Sequence, residues 1–214
     1  RRFTYTPDVP WPSDTAVSVR LAAGAASALG LPILRDATWS FHTGQPRISY
    51  LFPSDGAADL YLKGLDDDEA TRLTETPLGI TEAQVGRRGT AIVYLARRDD
   101  GGSDVRLRDL MTGGDDLIHT CTPDLTCRAP ALSPDGTMIA LAQAALVEGV
   151  NGPAPGTSRV WILSTGSSAP FAIGAADHVT SLPAWAPDGL LCYHDATLGA
   201  QVVVDPRQGA DAPV

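Results

Sequence analysis

The sequence predicts an all-β protein assembled from repeated four-stranded antiparallel units. Three observations carry that prediction. Glycine (21) and proline (17) are plentiful in 214 residues while aromatics make up only 6%, a punctuation that suits short strands and tight turns. Hydrophobic residues reach 43% against 19% charged, so the chain can bury a core and is not broadly disordered. The third observation is an internal repeat.

Two segments are close relatives: Ala129-Pro-Ala-Leu-Ser-Pro-Asp-Gly136 before Thr-Met-Ile-Ala-Leu-Ala, and Leu182-Pro-Ala-Trp-Ala-Pro-Asp-Gly189 before Leu-Leu-Cys-Tyr. Looser copies run Ala37-Thr-Trp-Ser-Phe-His-Thr-Gly44 and Ala83-Gln-Val-Gly-Arg-Arg-Gly89, each again followed by an apolar run. The glycines fall at 44, 89, 136 and 189, so the intervals are 45, 47 and 53. Periods of that size belong to blade-type repeats. In Pro-Asp-Gly, proline fixes φ, aspartate bonds its own backbone and glycine accepts a positive φ, which makes a tight turn.

Each element then has its reason. Residues 3–6, 16–21 and 31–34 read as strands of an N-terminal partial blade over 1–35. Blades follow over 36–80, 81–127 and 128–180, with a C-terminal partial blade over 181–214, all within one domain. In each, the motif segment supplies an inner strand and the apolar run after the turn, such as Ile92-Val-Tyr-Leu95, supplies the second. A third strand alternates: Asp59-Leu-Tyr-Leu62, Val105-Arg-Leu-Arg108, Val160-Trp-Ile-Leu163 and Val202-Val-Val204. A weaker fourth reads Thr71-Arg-Leu-Thr74, Asp116-Leu-Ile-His119 and Pro170-Phe-Ala-Ile173. Four strands per repeat is the anatomy of a β-propeller blade. The long connection at 147–158 stretches its blade and reads as a loop.

These motifs resemble the TolB-like, WD40-like β-propeller family, whose blades carry a P-x-W-S-P-D-G signature before the second strand. The resemblance spans 37–205. Two copies depart from it: Phe41-His42-Thr43 replaces Pro-Asp in the first, and Gly86-Arg87-Arg88 in the second, where Gln84 stands for the aromatic. Both of those turns carry one extra residue before the glycine on this alignment. About five blades or partial blades are visible. Either they close as a compact ring, with the two ends of the chain sharing a blade, or the ring is incomplete and belongs to a larger one.

The charge balance, 16 basic against 25 acidic for a net −9, shows no basic stripe of the kind a nucleic-acid binder carries. The pairs Arg87-Arg88 and Arg97-Arg98 read as solvated hairpin ends. No stretch reaches the ~20 apolar residues of a membrane helix; the uncharged run 21–34 holds Gly24, Gly30 and Pro32 and reads as strand-turn-strand. A chain that starts at Arg1-Arg2 fits a processed precursor, a trimmed chain or a chain represented in part. Cys121 and Cys127 flank a five-residue loop without zinc-ribbon spacing. They form a disulfide if the backbone turns back, which would imply an oxidising compartment, and stay thiols otherwise. Cys192 reads as a small core residue.

No catalytic constellation is visible. There is no G-x-S-x-G, and Ser133 occupies a repeated turn slot shared with Ser40, Val85 and Ala186. The histidines His42, His119, His178 and His194 lack H-x-x-x-H or H-E-x-x-H spacing. The acidic runs at 66–69, 99–100 and 115–116 lack the spacing of a calcium loop, and no phosphate-cradling loop occurs. No cofactor or metal is therefore expected, and no nucleic-acid partner. Trp39 and Trp185 share one blade position and read as packing between blades, whereas Trp11, in a proline-rich stretch outside the repeat, is the candidate interface anchor. The expected function is a non-catalytic propeller for protein–protein interaction. It would be a soluble extracytoplasmic (periplasmic or cell-surface) accessory subunit, without a transmembrane segment and associated with any membrane complex through its partners. The family resemblance supports that reading because TolB-like propellers serve as periplasmic interaction platforms. The alternative is the substrate-gating propeller of a prolyl-oligopeptidase-like serine hydrolase whose catalytic domain lies outside these residues. A third option is a propeller that binds a sugar or metal in its central channel.

Overall fold

A computed structural model describes residues 6–9, 11–12, 15–26, 29–149, 152–166 and 169–208. The expected strand at 3–6 and the tail 209–214 lie wholly or mostly outside them. The chain divides into two compact units: Arg1–Ile48 with Leu62–Thr71, and Ser49–Tyr61 with Arg72–Val214.

In the first unit, β1 (Ala16–Leu21) pairs antiparallel with β2 (Ala37–His42) along its whole length, from Ala16 opposite His42 to Leu21 opposite Ala37. Arg20 and Asp36 close the open end of this pair through the guanidinium and carboxylate. The segment 21–34 makes less of a strand pair than its composition suggests. Among its described residues it holds one isolated bridge, Ala26 to Pro32, flanked by Gly24 N–H to Ile33 O and Ile33 N–H to Ala25 O, both 2.9 Å.

The partner of β2 corrects the reading of Ala37–His42 as the inner strand of the blade that follows it. In the well-formed repeats the turn closes on itself, with Ser133 N–H bonding Met138 O and Ala186 N–H bonding Leu190 O, both at 2.8 Å. After β2 the chain does otherwise: Thr43 N–H reaches back to Thr15 O at 3.0 Å, and Thr43 Oγ1 donates to Pro12 O. Pro46 has no N–H to offer a new ladder. Thus β2 is tied to the strand before it.

The remaining strands form antiparallel sheets in chain order. β3 (Arg47–Phe52), β4 (Asp59–Gly64) and β5 (Thr71–Arg72) make one. β6 (Ile80–Val85), β7 (Ala91–Arg97), β8 (Ser103–Asp109) and β9 (Asp115–Cys121) make a complete four-stranded blade. So do β10 (Leu125–Leu132), β11 (Met138–Gly149), β12 (Gly152–Ser164) and β13 (Phe171–Ala172). β14 (Thr180–Trp185), β15 (Leu191–Asp195) and β16 (Ala200–Val204) form the last, followed by a short 3-10 turn at Pro206–Gln208.

The second strands are continuous apolar runs because both of their faces are covered. On β7, Val93 and Leu95 pack with Leu132, Ile139, Leu141 and Leu163 of the following blade. The alternate residues Ile92, Tyr94 and Ala96 pack the other way, on Leu60 and Ile80. β12 repeats the device: Leu163 faces back, while Val160 and Ile162 face Leu191, Tyr193 and Val204. Each such aliphatic side chain contributes about 1.5–3 kcal/mol of burial. Charging any one of them would separate two sheets at once.

Up to its glycine the turn after β6 has the same length as the other two, which corrects the extra residue expected there. Gly86 N–H bonds Ala91 O at 2.8 Å and Gly89 N–H bonds Gly86 O at 2.8 Å, as Gly136 N–H does to Ser133 O at 2.9 Å. Gly86 therefore takes the slot of Ser133, and Val85, not Gln84, takes that of the aromatic. Glycine suits 86 because a Cβ there would stand 2.8 Å from Leu132 Cδ2 and 3.3 Å from Ala91 O, so Leu132 would have to shift.

The 147–158 segment is likewise not a loop. Leu146 to Gly149 and Gly152 to Pro155 continue β11 and β12 as one long hairpin, in register to the Gly149–Gly152 pair. Pro155 fits because it stands in a strand edge that needs no amide donor.

Candidate functional site

β6, β10 and β14, the first strands of three successive sheets, pack side by side within the second unit. Their main chains are joined by side chains from the neighbouring sheets. Glu82 Oε2 accepts from Ala129 N–H at 2.5 Å and Gln84 Oε1 from Leu132 N–H at 3.0 Å, while Trp185 Nε1–H donates to Ala131 O at 2.9 Å. β10 needs these partners because it bulges. Its register shifts between Arg128 and Ala131, and Ala129 is forced to a φ of 50°. β14 bulges at the matching place, with Leu182 at 53°. Both residues precede a proline, so the repeat encodes a backbone kink as well as a turn.

The starts of these strands share one end of their sheets with the second-to-third strand turns, and three features gather there. The first is a cleft of about 480 Å³ between the two four-stranded sheets, lined by Glu82, Arg97, Arg98, Ser103, Thr126 and Arg128 among others. Arg98 is held by Asp100 at 2.8 Å and Asp104 at 3.3 Å. The second is the outer part of the β11–β12 hairpin, where Val147 is 50% exposed; Leu146 N–H anchors its base on Asp124 O at 2.7 Å. The third is a buried carboxylate. Asp195 Oδ2 lies 2.7 Å from His178 Nδ1, and Oδ1 accepts from Thr197 N–H at 3.0 Å and Leu198 N–H at 3.1 Å. Burial would raise the Asp195 pKa, but the His178 hydrogen bond and the two amides outweigh it and hold the carboxyl below its ordinary value. Sequence spacing could not pair His178 with Asp195. Among the described residues no serine or cysteine hydrogen-bonds to His178, so the pair fastens a loop and does not form a triad.

Cys121, at the end of β9, and Cys127, in β10, are joined as a disulfide with Cα atoms 6.3 Å apart. Both sulfurs sit in the core between the two four-stranded sheets. Trp11 lies over Phe41, ring centroids 4.9 Å apart, and is 40% exposed. Trp39 departs from expectation: on β2 it is 49% exposed, whereas Trp185 packs at a sheet-to-sheet core. Cys192 is not core either; it alternates with buried Leu191 and Tyr193 and its Sγ meets Gln201 Oε1 at 3.5 Å. His42, His119, His178 and His194 are not brought together, and the described residues hold no group of three or more His, Cys, Asp or Glu suited to a metal ion. No described helix is long and apolar enough to cross a membrane.

No protein-family model matches the chain and no curated protein sequence matches it. Solved structures do. An oligogalacturonate lyase in complex with manganese is similar at 13% identity and a TM-score of 0.56, over 91% of this chain and 59% of that one. A protein described as TolB from Agrobacterium tumefaciens is similar at 17% identity and a TM-score of 0.53, over 74% and 56%. The fold is a TolB-like β-propeller. Prolyl endopeptidase is similar too, at 14% identity and a TM-score of 0.50, over 73% of this chain and 26% of that one. The chain thus spans a little over half the length of the first two structures. At these identities the likeness is one of fold.

Proposed function

We propose that this propeller is a protein–protein interaction module with no catalytic chemistry of its own, serving as an extracytoplasmic accessory subunit of a larger assembly. The observation that carries the reading is the β11–β12 hairpin. Its strands run 12 and 13 residues where β7 and β8 run 7 each, so a ribbon projects beyond the sheet that supports it. Such ribbons bury little of their own surface and gain stability from a partner. The Cys121–Cys127 disulfide supports an oxidising compartment. Trp11 is proposed as a further anchor, since an exposed tryptophan braced on another ring offers contact area at low entropic cost. Trp11→Ala should weaken partner binding and leave the fold intact.

The test is the native mass of the protein from its source. Co-migration of a 22.4 kDa chain with other subunits supports the reading, provided that replacing 146–157 by a two-residue turn releases the chain from them. A lone 22.4 kDa species overturns it. The second reading is the gating propeller of a prolyl-oligopeptidase-like hydrolase, favoured by the likeness to prolyl endopeptidase; a single longer polypeptide with peptidase activity would select it.

A further inference from the structure

We propose that the cleft between the β6–β9 and β10–β13 sheets is a carboxylate-binding site whose gripping groups are the guanidinium groups of Arg97 and Arg128. The protein is acidic overall, and several of its arginines find carboxylates: Arg20 with Asp36, Arg72 with Asp59, Arg106 with Asp115, Arg207 with Asp205, while Arg159 donates to the Gly174 carbonyl at 2.9 Å. In the cleft itself, Arg98 pairs with Asp100 of the β7–β8 turn and with Asp104 of β8. Arg97 and Arg128, which both line the cleft, have no carboxylate partner among the described residues. The one carboxylate that lines the cleft, Glu82, already accepts from Ala129 N–H at 2.5 Å.

The opposite end of the same sheets gives the contrast. There Arg87 and Arg88 line a cleft with Asp109, Asp116 and Asp135, so the cations are neutralised locally. In the Arg97–Arg128 cleft two guanidinium groups line a concave surface without an ion-pair partner among the described residues. It also presents the hydroxyls of Thr81, Ser103 and Thr126. A guanidinium fork matches a planar carboxylate with two parallel hydrogen bonds. The Glu82 charge disfavours two negative charges on one gripped group, as in a phosphate dianion, more than the single charge on each carboxylate group. The ligand is therefore a carboxylate, delivered either by acidic side chains of a partner protein or by a free polycarboxylic acid. The site rests on the cleft alone and does not depend on the assembly reading.

The test is calorimetric titration of the full chain at low and moderate salt with a hexaglutamate peptide, with tricarballylate and with inorganic phosphate. At least one carboxylate probe should bind, with affinity falling as salt rises. Arg97→Gln and Arg128→Gln should each weaken it about tenfold, while Arg87→Gln at the opposite end should not. Tighter binding of the peptide assigns the site to a partner's acidic segment; tighter binding of tricarballylate assigns it to a free acid. Binding of neither, phosphate binding as tightly as both, or indifference to Arg97→Gln and Arg128→Gln overturns the proposal. The native-mass result would be untouched by that failure.

Discussion

Asp195 holds His178 across a 2.7 Å Oδ2–Nδ1 contact while only 1% exposed, so the loop before β14 is locked to the turn between β15 and β16. A carboxylate whose folded pKa lies below its unfolded value adds stability above the unfolded value, about 4. That stability is lost as pH falls through the lowered folded value. Asp195→Asn should therefore lower the melting temperature at pH 7, and its gap to the unmodified protein should close as pH drops below about 4. Thermal scans of both proteins from pH 7 to pH 3 check this; a constant gap would show that the charge plays no part.

Asp59 is the more heavily bonded carboxylate. It is 4% exposed and accepts from Arg72, from Thr74 Oγ1 at 2.9 Å, and from Thr76 N–H and Oγ1 at 2.8 Å each. Asp59→Ala would strand those donors and should destabilise by about 3 kcal/mol, whereas Asp59→Asn keeps the shape and should cost less. Urea denaturation of the two variants gives the ranking, and equal losses would contradict it.

Reducing or removing the disulfide should matter although its loop is short. Closing a loop of this size stabilises by about 2 kcal/mol through the unfolded state. Cys121→Ser with Cys127→Ser should lower the denaturation midpoint by a corresponding amount, and dithiothreitol should shift the unmodified protein to the same midpoint. A double variant as stable as the unmodified protein would remove the bond from any account of stability.

Leu182 offers a substitution in the other direction. It sits at a φ of 53° with 67% of its surface exposed, so its side chain contributes little while its backbone is strained. Leu182→Gly should stabilise by roughly 0.5–1 kcal/mol, the relief of strain outweighing the added freedom of the unfolded chain. Ala129→Gly is the internal control at the matching bulge.

The sequence made the turns legible wherever their chemistry was local. Pro134-Asp135-Gly136 and Pro187-Asp188-Gly189 announce themselves because proline, aspartate and glycine each solve part of the turn. The apolar runs of β7, β11 and β15 were equally plain. What spacing could not show was which neighbour a strand would choose: β2 satisfies its ladder with β1 because Thr43 reaches back to Thr15. Glycine at 86 hid the true alignment of its turn, since the reason for it is Leu132, far along the chain. The β11–β12 ribbon looked like a loop because edge strands tolerate proline and glycine. The arginine cleft was invisible for a related reason: Arg97 and Arg128 come from different sheets and share a surface only after folding.

The bonds that join the first strands have a consequence for how the chain is made. Glu82 meets its amide 47 residues later, Gln84 48 residues later, and Trp185 reaches back 54 residues to its carbonyl. On a ribosome adding about 5–20 residues per second, each newly emerged blade waits roughly 2–10 s before its inner strand can be completed. During that interval one face of every blade is wet. Synthesis thus presents each first strand to a sheet already made, which can serve as the template on which the next is laid.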